Sequence, residues 1–271
     1  MFVRSKCLAF GAAVVVSALV AGCSRDKSAG VPLVHKGKLV TCTHVPFAPF
    51  EFERDGKITG FDIDVVDLVA QRLGVKVQLV DTSVENLTTG SLLDSNQCDL
   101  EAAGLTMTDA RRKSVDFSEG YLDAYQALVV KRGTGMASLD AVKNSAKRVG
   151  VQSQTVGEDL AKTKELNLLS FESSDAVLLA LRTGRVEAAI VDHPAVQTWM
   201  KDSGNIAFQI AAYVDTGEQL GMAVKKGNTK LLAIINEVMA QARADGTHKR
   251  LRDQWFGESL GAVPVTTVAR P

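Results

Sequence analysis

Aromatic residues make up only 6% of this 271-residue chain, prolines number six and tryptophans two. Neither sign of charge is in excess, with 31 Lys and Arg against 31 Asp and Glu. That balance excludes a broadly basic nucleic-acid binder and a charge-rich disordered chain. The four histidines are scattered, and Cys7, Cys23, Cys42 and Cys98 form no close-spaced cluster. Neither zinc nor di-iron coordination is therefore expected, nor any cofactor. No apolar run reaches the roughly 20 residues that a membrane-spanning helix needs. What is present is a 46% apolar chain, long enough for two lobes of roughly 100–150 residues each.

The N-terminus reads as an address. Arg4 and Lys6 precede an uncharged apolar run from Leu8 to Ala21, a positive start and short apolar stretch typical of a secretory signal. The run ends Val20-Ala21-Gly22-Cys23, which resembles the lipobox of bacterial lipoproteins, where the cysteine is acylated and becomes the first mature residue. An uncleaved anchor, or a plain signal peptide with an incidental cysteine, is the alternative. The small residues before Cys23 and the polar tether Ser24 to Gly30 favour the lipid. Loss of residues 1–22 removes Arg4 and Lys6 and no acid, leaving 29 bases, 31 acids and a formal charge of −2. Cys42 and Cys98 are then the only free thiols. An oxidising compartment favours a disulfide between them, since neighbouring parallel strands can bring them together; two buried reduced thiols are the other possibility.

Strand and helix patterns alternate along the chain. Lys38 to Thr43 reads as a strand ended by Pro46 and Pro49, and Asp55-Gly56 as the turn of a hairpin between residues 50–53 and 57–58. Asp62 is positioned to cap a helix whose Ile63, Val66, Val69, Ala70 and Leu73 recur at helical spacing before Gly74. A strand at Val75 to Val80, a helix at Asn86 to Ser95 and a strand at Asp99 to Gly104 complete a βαβα pattern, which predicts a parallel sheet with helices on both faces. A second series starts after Tyr125. It has strands at 126–131, 147–152, 168–171 and 188–191, with helices at 138–144, 158–164, 174–183 and 194–201. A strand at 221–225, an amphipathic helix at 229–244 and a short helix closing at Trp255-Phe256-Gly257 follow. Residues 261–271 carry no periodicity and are expected to form a mobile tail.

Several segments carry chemistry. In Gly104-Leu105-Thr106-Met107-Thr108-Asp109-Ala110-Arg111 a strand gives way to a predicted helix, with Thr108 or Asp109 as its cap. A helix opening favours an anion, and a guanidinium there makes a bidentate clamp for a carboxylate. The alternative is a surface arginine paired with Asp109 or Asp116. The turn Gln152-Ser153-Gln154-Thr155-Val156-Gly157 repeats the theme before a second helix, and it lacks the lysine and serine of a phosphate-binding Walker loop. Asp192 stands at the C-terminal end of an apolar strand, where open α/β sheets bind ligands. It suits a ligand ammonium and equally suits a helix cap before Pro194. His193 reads as a solvent-facing neighbour of that cap. Phe47 and Phe50, framed by Pro46 and Pro49, offer either an apolar wall or core packing, and core packing suits Phe50 and Phe52. Glu101 is anomalous inside a strand expected to be buried; a place in the cleft or in a salt bridge would account for it.

Taken together, Pro46-Phe47-Ala48-Pro49-Phe50-Glu51-Phe52, Gly60-Phe61-Asp62-Ile63-Asp64, the Gly104 to Arg111 segment continuing through Val115-Asp116-Phe117-Ser118, Ala180 to Ala188, Ala244-Asp245-Gly246-Thr247 and Trp255-Phe256-Gly257 resemble the type II periplasmic solute-binding proteins, specifically the polar-amino-acid-binding family of ABC importers. The resemblance implies two doubly wound α/β lobes joined by two crossing strands. It divides the chain into a signal (1–22), a tether (23–37), lobe one (38–120 and 221–260), lobe two (126–215), a hinge (121–125 and 216–220) and a tail (261–271). It assigns Arg111 to a ligand α-carboxylate, helped by Leu105, Thr106 and the backbone at Thr155 and Val156. Asp192 and the Gly104 carbonyl take the α-ammonium, and Phe47 stacks on the side chain.

Three departures from the family pattern touch specificity. A second aromatic clamp found in several members is replaced by Asn86, His44 stands where some members carry an acid, and Gln152 where a glutamine-binding relative has lysine. The pocket is thus expected to be polar and weakly aromatic. The implied activity is capture of a free amino acid by lobe closure, read by a membrane permease, in a lipid-anchored, monomeric extracytoplasmic protein that is not an enzyme. A rival is a cyclohexadienyl dehydratase on the same scaffold, recruiting Glu101 or His193 as acid. A third reading, a receptor partner for a membrane sensor, is disfavoured because no kinase or transmembrane pattern follows residue 260.

Overall fold

The computed structural model describes residues 30–257 and the strand at 266–267; the expected signal, Cys23 and residues 24–29 of the tether lie outside the described residues. The chain begins with β1 (Lys38–Thr43), the hairpin β2 (Phe52–Arg54) and β3 (Lys57–Thr59), α1 (Phe61–Leu73), β4 (Lys76–Asp81), α2 (Val84–Thr89), α3 (Ser91–Asp94), β5 (Leu100–Glu101) and β6 (Val115–Phe117). The long β7 (Leu122–Lys131) leads to α4 (Leu139–Ser145), β8 (Arg148–Gln152), α5 (Val156–Thr163), β9 (Asn167–Phe171), α6 (Ser174–Arg182), β10 (Ala188–Asp192) and α7 (His193–Lys201). The equally long β11 (Phe208–Leu220) returns to β12 (Ala223–Lys225), α8 (Thr229–Ala244) and α9 (Thr247–Phe256), and β13 (Thr266–Thr267) follows.

Among the described residues two large sheets result, one in each lobe, with the β2-β3 hairpin as a separate two-stranded sheet. The first has the order β4-β1-β5-β12-β6 and the second β13-β11-β7-β10-β8-β9. Both are mixed, where the sequence pattern predicts parallel sheets. In the first, β1 runs parallel to β4 and β5 while β12 is antiparallel to β5 and β6. In the second, β10, β8 and β9 are parallel, and β7 is antiparallel to β10 and β11. The cause is the crossing: β7 and β11 pair from Lys131↔Phe208 to Leu122↔Leu220, so the chain enters and leaves the second lobe in opposite directions along adjacent strands.

Elements differ from the sequence expectation where glycine or a distant partner intervenes. The helix predicted over 86–95 is two short ones, because Gly90 adopts φ 70° between them, and a Cβ there would come within 2.5 Å of Val115 Cγ1. The strand expected over 99–104 shrinks to two residues. Asp62 does not cap α1, which begins one residue earlier after Gly60; it is buried in the first turn. A Cβ at Gly60 would lie 2.0 Å from the Phe50 carbonyl oxygen, so only glycine allows that approach. Strand β6 and residues 208–215 of β11 escaped the periodicity, since both pair with distant strands and β11 shifts register near Ala212 and Glu218. Residues 266–267, within the expected tail, form β13 beside Val214 and Asp215.

The core follows the apolar spacing. Phe61, Val65, Val66, Val69 and Leu73 of α1 are buried, with α1 packed on α8, α9 and β1; each such side chain contributes roughly 1.5–3 kcal/mol by burial. Gly74, at φ 70°, closes α1 by donating to the Ala70 and Gln71 carbonyls. Cys42 and Cys98 are joined in a disulfide with Cα atoms 5.8 Å apart, tying β1 to the segment entering β5. Among the described residues no helix is long and apolar enough to cross a membrane.

Candidate functional site

The C-terminal ends of β1, β5, β8 and β10 converge on one narrow cavity of about 40 Å³. Its first-lobe wall is His44 and Phe47 after β1, Val84 and Leu87 of α2, Ala103 to Thr106 after β5, and Arg111. The second lobe adds Gln152 from β8, Thr155 and Val156 at the opening of α5, and Asp192 from β10. Every residue expected at a ligand except Asn86 is on this wall. Asn86 Nδ2 instead donates to Thr82 Oγ1 at 2.8 Å. Val84, Leu87 and Ala103 are wall residues that carry no motif.

Arg111 sits in a single 3-10 turn, Arg111–Lys113, not in the α-helix its sequence predicts, so the pull on an anion there comes from the guanidinium alone. Neither Asp109 nor Asp116 pairs with it. Nη1 donates to the Thr106 carbonyl and Nη2 to the Gln154 carbonyl, both at 2.8 Å. Gln154 belongs to the second lobe, so the guanidinium bridges the cleft. Burial lowers its pKa, while Asp192, Glu218 and Asp159 pull it upward. Thr155 spends its hydroxyl on the protein, donating to the Gln152 carbonyl at 2.8 Å and accepting from Glu158 N as the cap of α5. What α5 can still offer is its first backbone N–H groups.

Asp192 precedes α7 yet makes no side-chain cap bond. Its Oδ1 accepts from Gln126 Nε2. The same amide nitrogen donates to Glu218 Oε1 at 3.0 Å, and Glu218 Oε2 accepts from Thr106 Oγ1 at 2.9 Å. Two carboxylates thus share one amide, and among the described residues neither forms an ion pair. Burial and the neighbouring Glu218 raise the Asp192 pKa to about 7, against the Gln126 hydrogen bond and Arg111. Gln126 and Glu218 were not singled out in the sequence. The available signal was a polar residue interrupting the apolar stretch Ala124 to Val130, the same anomaly that marks Glu101.

Phe47 is buried, lines the cavity and stacks on Phe50 with ring centroids 5.1 Å apart. Phe50 is core, whereas Phe52 is half-buried edge-on against Trp255. Gly104 holds φ 54°, and a Cβ there would come 2.7 Å from Phe47 Cε1, so the ring's place on the wall requires glycine. Gly104 N donates to Asp62 Oδ2 at 2.6 Å and Tyr121 Oη to the same oxygen at 2.9 Å. Burial raises the Asp62 pKa to about 7 in spite of these bonds.

Two expectations fail on geometry. His193 is not solvent-facing: it is 1% exposed and packs edge-on against Tyr213 at 4.8 Å, and burial lowers its pKa to about 4. Glu101 is fully buried, outside the cavity wall and in no salt bridge; neither carboxyl oxygen has a partner. Burial, with a smaller push from Asp94, raises its pKa to about 8, so it is mostly a neutral acid at pH 7.

Residues 39–258 match the bacterial extracellular solute-binding proteins, family 3, and the chain belongs to that family. It is 31% identical over 256 residues to the L-cystine-binding protein TcyJ of Escherichia coli K12, covering 91% of this chain and 94% of that one. Among solved structures it is similar to an ancestral arginine-binding protein bound to glutamine, at 35% identity and TM-score 0.77, over 83% of this chain and 100% of that one. It also resembles an ancestral amino acid-binding protein that is a precursor of cyclohexadienyl dehydratase, at 31% identity and TM-score 0.74, over 81% and 95% of the two chains.

Proposed function

We propose that the protein is the lipid-anchored, extracytoplasmic substrate-binding component of an ABC importer and captures a free polar amino acid between its lobes. The observation that carries this reading is that Arg111 from one lobe and Asp192 from the other line the same cavity. A zwitterion offers a carboxylate to the first and an ammonium to the second, and only the closed form lets it touch both. Differential affinity for the closed form then shifts the population of lobe arrangements. The crossing strands at 121–125 and 216–220 serve as the hinge, with lobe one formed by 38–120 and 221–260 and lobe two by 126–215. Leu105, Thr106, the Gly104 carbonyl and the α5 backbone at Thr155 and Val156 complete the grip on the α-groups, and Phe47 covers the side chain. A permease reads closure through both lobes, and acylated Cys23 holds the protein at the membrane.

Calorimetric titration with the twenty amino acids tests the reading. One or a few should bind, and Arg111→Ala should weaken that binding at least about a hundredfold, as removal of one partner of an enclosed charge pair does. Binding of none of them, or undiminished binding by the variant, overturns the proposal. Incubation with prephenate or arogenate should yield no aromatic product, because Glu101 and His193 lie off the cavity wall. Labelling with a fatty acid should be lost in Cys23→Ser.

A further inference from the structure

The cavity wall also bears on which side chain it accepts, on the premise that the α-groups are held as proposed above. The lining holds one guanidinium, Arg111, and one carboxylate, Asp192. The two charges of the guest's backbone use up both. A charged side chain enclosed beside them would lose its hydration with nothing to pair it. Glu51, bonded to Phe47 through the backbone, is fully buried and absent from the wall, and burial raises its pKa well above the ordinary carboxylate value. Asp81, paired with Thr43 across β1 and β4, is exposed and accepts from Val45 N.

One fully buried polar side-chain atom of the wall is left without a protein partner. His44 Nδ1 lies 2.8 Å from the Thr82 carbonyl oxygen, which can only accept, so Nδ1 carries the ring proton and donates. A neutral imidazole has one N–H, which makes Nε2 a bare acceptor. It is buried and has no hydrogen-bond partner. The ring is held in that orientation, because Thr82 N donates to the Thr43 carbonyl at 2.9 Å and Thr82 Oγ1 accepts from Asn86 Nδ2. Around it the wall is apolar: Phe47, Val84, Leu87 and Ala103. Gln152 joins the wall from the other lobe, its Nε2 donating to the Glu172 carbonyl at 3.3 Å. A buried acceptor without a partner is costly, and a guest that supplies a donor removes the cost.

We infer that the preferred amino acid has an uncharged side chain whose N–H or O–H donates to His44 Nε2, an amide or hydroxyl such as that of glutamine, asparagine, serine or threonine. Cationic, acidic and purely apolar side chains each leave a charge or the imidazole unpaired.

The test compares glutamine with methionine, its near-isostere lacking a donor, and with glutamate, arginine, asparagine, serine and threonine, by calorimetry at pH 7.5. An amide or hydroxyl amino acid should bind tightest, and the best amide should exceed its isostere by about tenfold or more. His44→Phe, which keeps a ring and removes the acceptor, should shrink that ratio to about threefold or less, while His44→Gln, which keeps an acceptor, should retain part of it. Tightest binding of arginine, glutamate or methionine overturns the side-chain inference and leaves amino-acid capture standing. An unchanged ratio in His44→Phe overturns it as well. Binding of no amino acid overturns the underlying reading instead.

Discussion

The two walls of the cleft carry opposite charges under opposite conditions. On the first lobe, Arg111 has its two terminal nitrogens on carbonyls, one of them across the cleft. Its charge is solvated by the protein itself. On the second, Asp192 shares a single amide with Glu218 and meets no cation except at a distance. Glu218 also accepts from Thr106 Oγ1 and Thr216 Oγ1, so Asp192, with its one amide donor, is the less satisfied acid. In the proposed capture, the unmet electrostatic demand would therefore sit with Asp192, and the guanidinium would supply aim more than unmet attraction. The lobes differ in construction too: among the described residues a disulfide staples the first, while apolar strands and helix caps hold the second.

That contrast can be broken from either side. The largest expected effect is on stability. Replacing Cys42 and Cys98 by serine frees a link spanning 56 residues, which should cost about 4 kcal/mol by loop entropy. Melting followed by hydrogen exchange should show protection lost first in β1, β4 and β5; equal loss in β8 and β9 would mean the lobes do not differ as described. Next, Asp192→Asn should lower amino-acid affinity by about a hundredfold, comparable with Arg111→Ala, read by calorimetry.

Protons sharpen the comparison. Burial and the neighbouring Glu218 raise the Asp192 pKa to about 7, and the proposed pairing with a ligand ammonium requires it ionised. Affinity should therefore fall by about tenfold for each pH unit below 7. Glu218→Gln removes the like charge, so it should flatten that profile between pH 5.5 and 7; an unshifted profile would dissociate Glu218 from the site. The empty protein should respond with the opposite sign. Asp62, Glu101 and Asp192 all have pKa values raised in the folded state, to about 7, 8 and 7. Between pH 4 and 8 the folded protein binds more protons than the unfolded chain, so ligand-free stability should decrease as pH rises. Thermal melting at pH 5.5 and 8 with and without ligand checks both signs. Glu101 isolates one part of that slope. Glu101→Gln should be close to neutral at pH 4.5 and increasingly stabilising as pH rises towards 8, since the buried acid must keep a proton that the unfolded chain gives up.

Much of the site was readable because its residues stand at strand ends, where apolar runs stop and polar turns start. Gly104 to Arg111, Gln152 to Val156 and Asp192 are all such boundaries. What escaped came from the interior of strands or from other segments. Gln126 looks like a strand residue among apolar neighbours, and Glu218 sits in the polar stretch Asp215 to Gln219; only the pairing of β7 with β11 sets them beside Asp192 and Thr106. His193 was misjudged for the same reason, since Tyr213, which covers it, is twenty positions away.

Local chemistry written along the chain, the 3.6 and 2.0 periodicities, glycine stops and turn residues, was enough to determine the α/β class and the order of most elements, and it left Arg111 and Asp192 as candidates whose roles came from the family resemblance. The mixed sheets, the shared amide between two acids and the bare nitrogen of His44 were decided in three dimensions. Each depends on which groups lie beside one another after the chain crosses twice between lobes, and proximity of that kind has no signature in a single strand's own sequence.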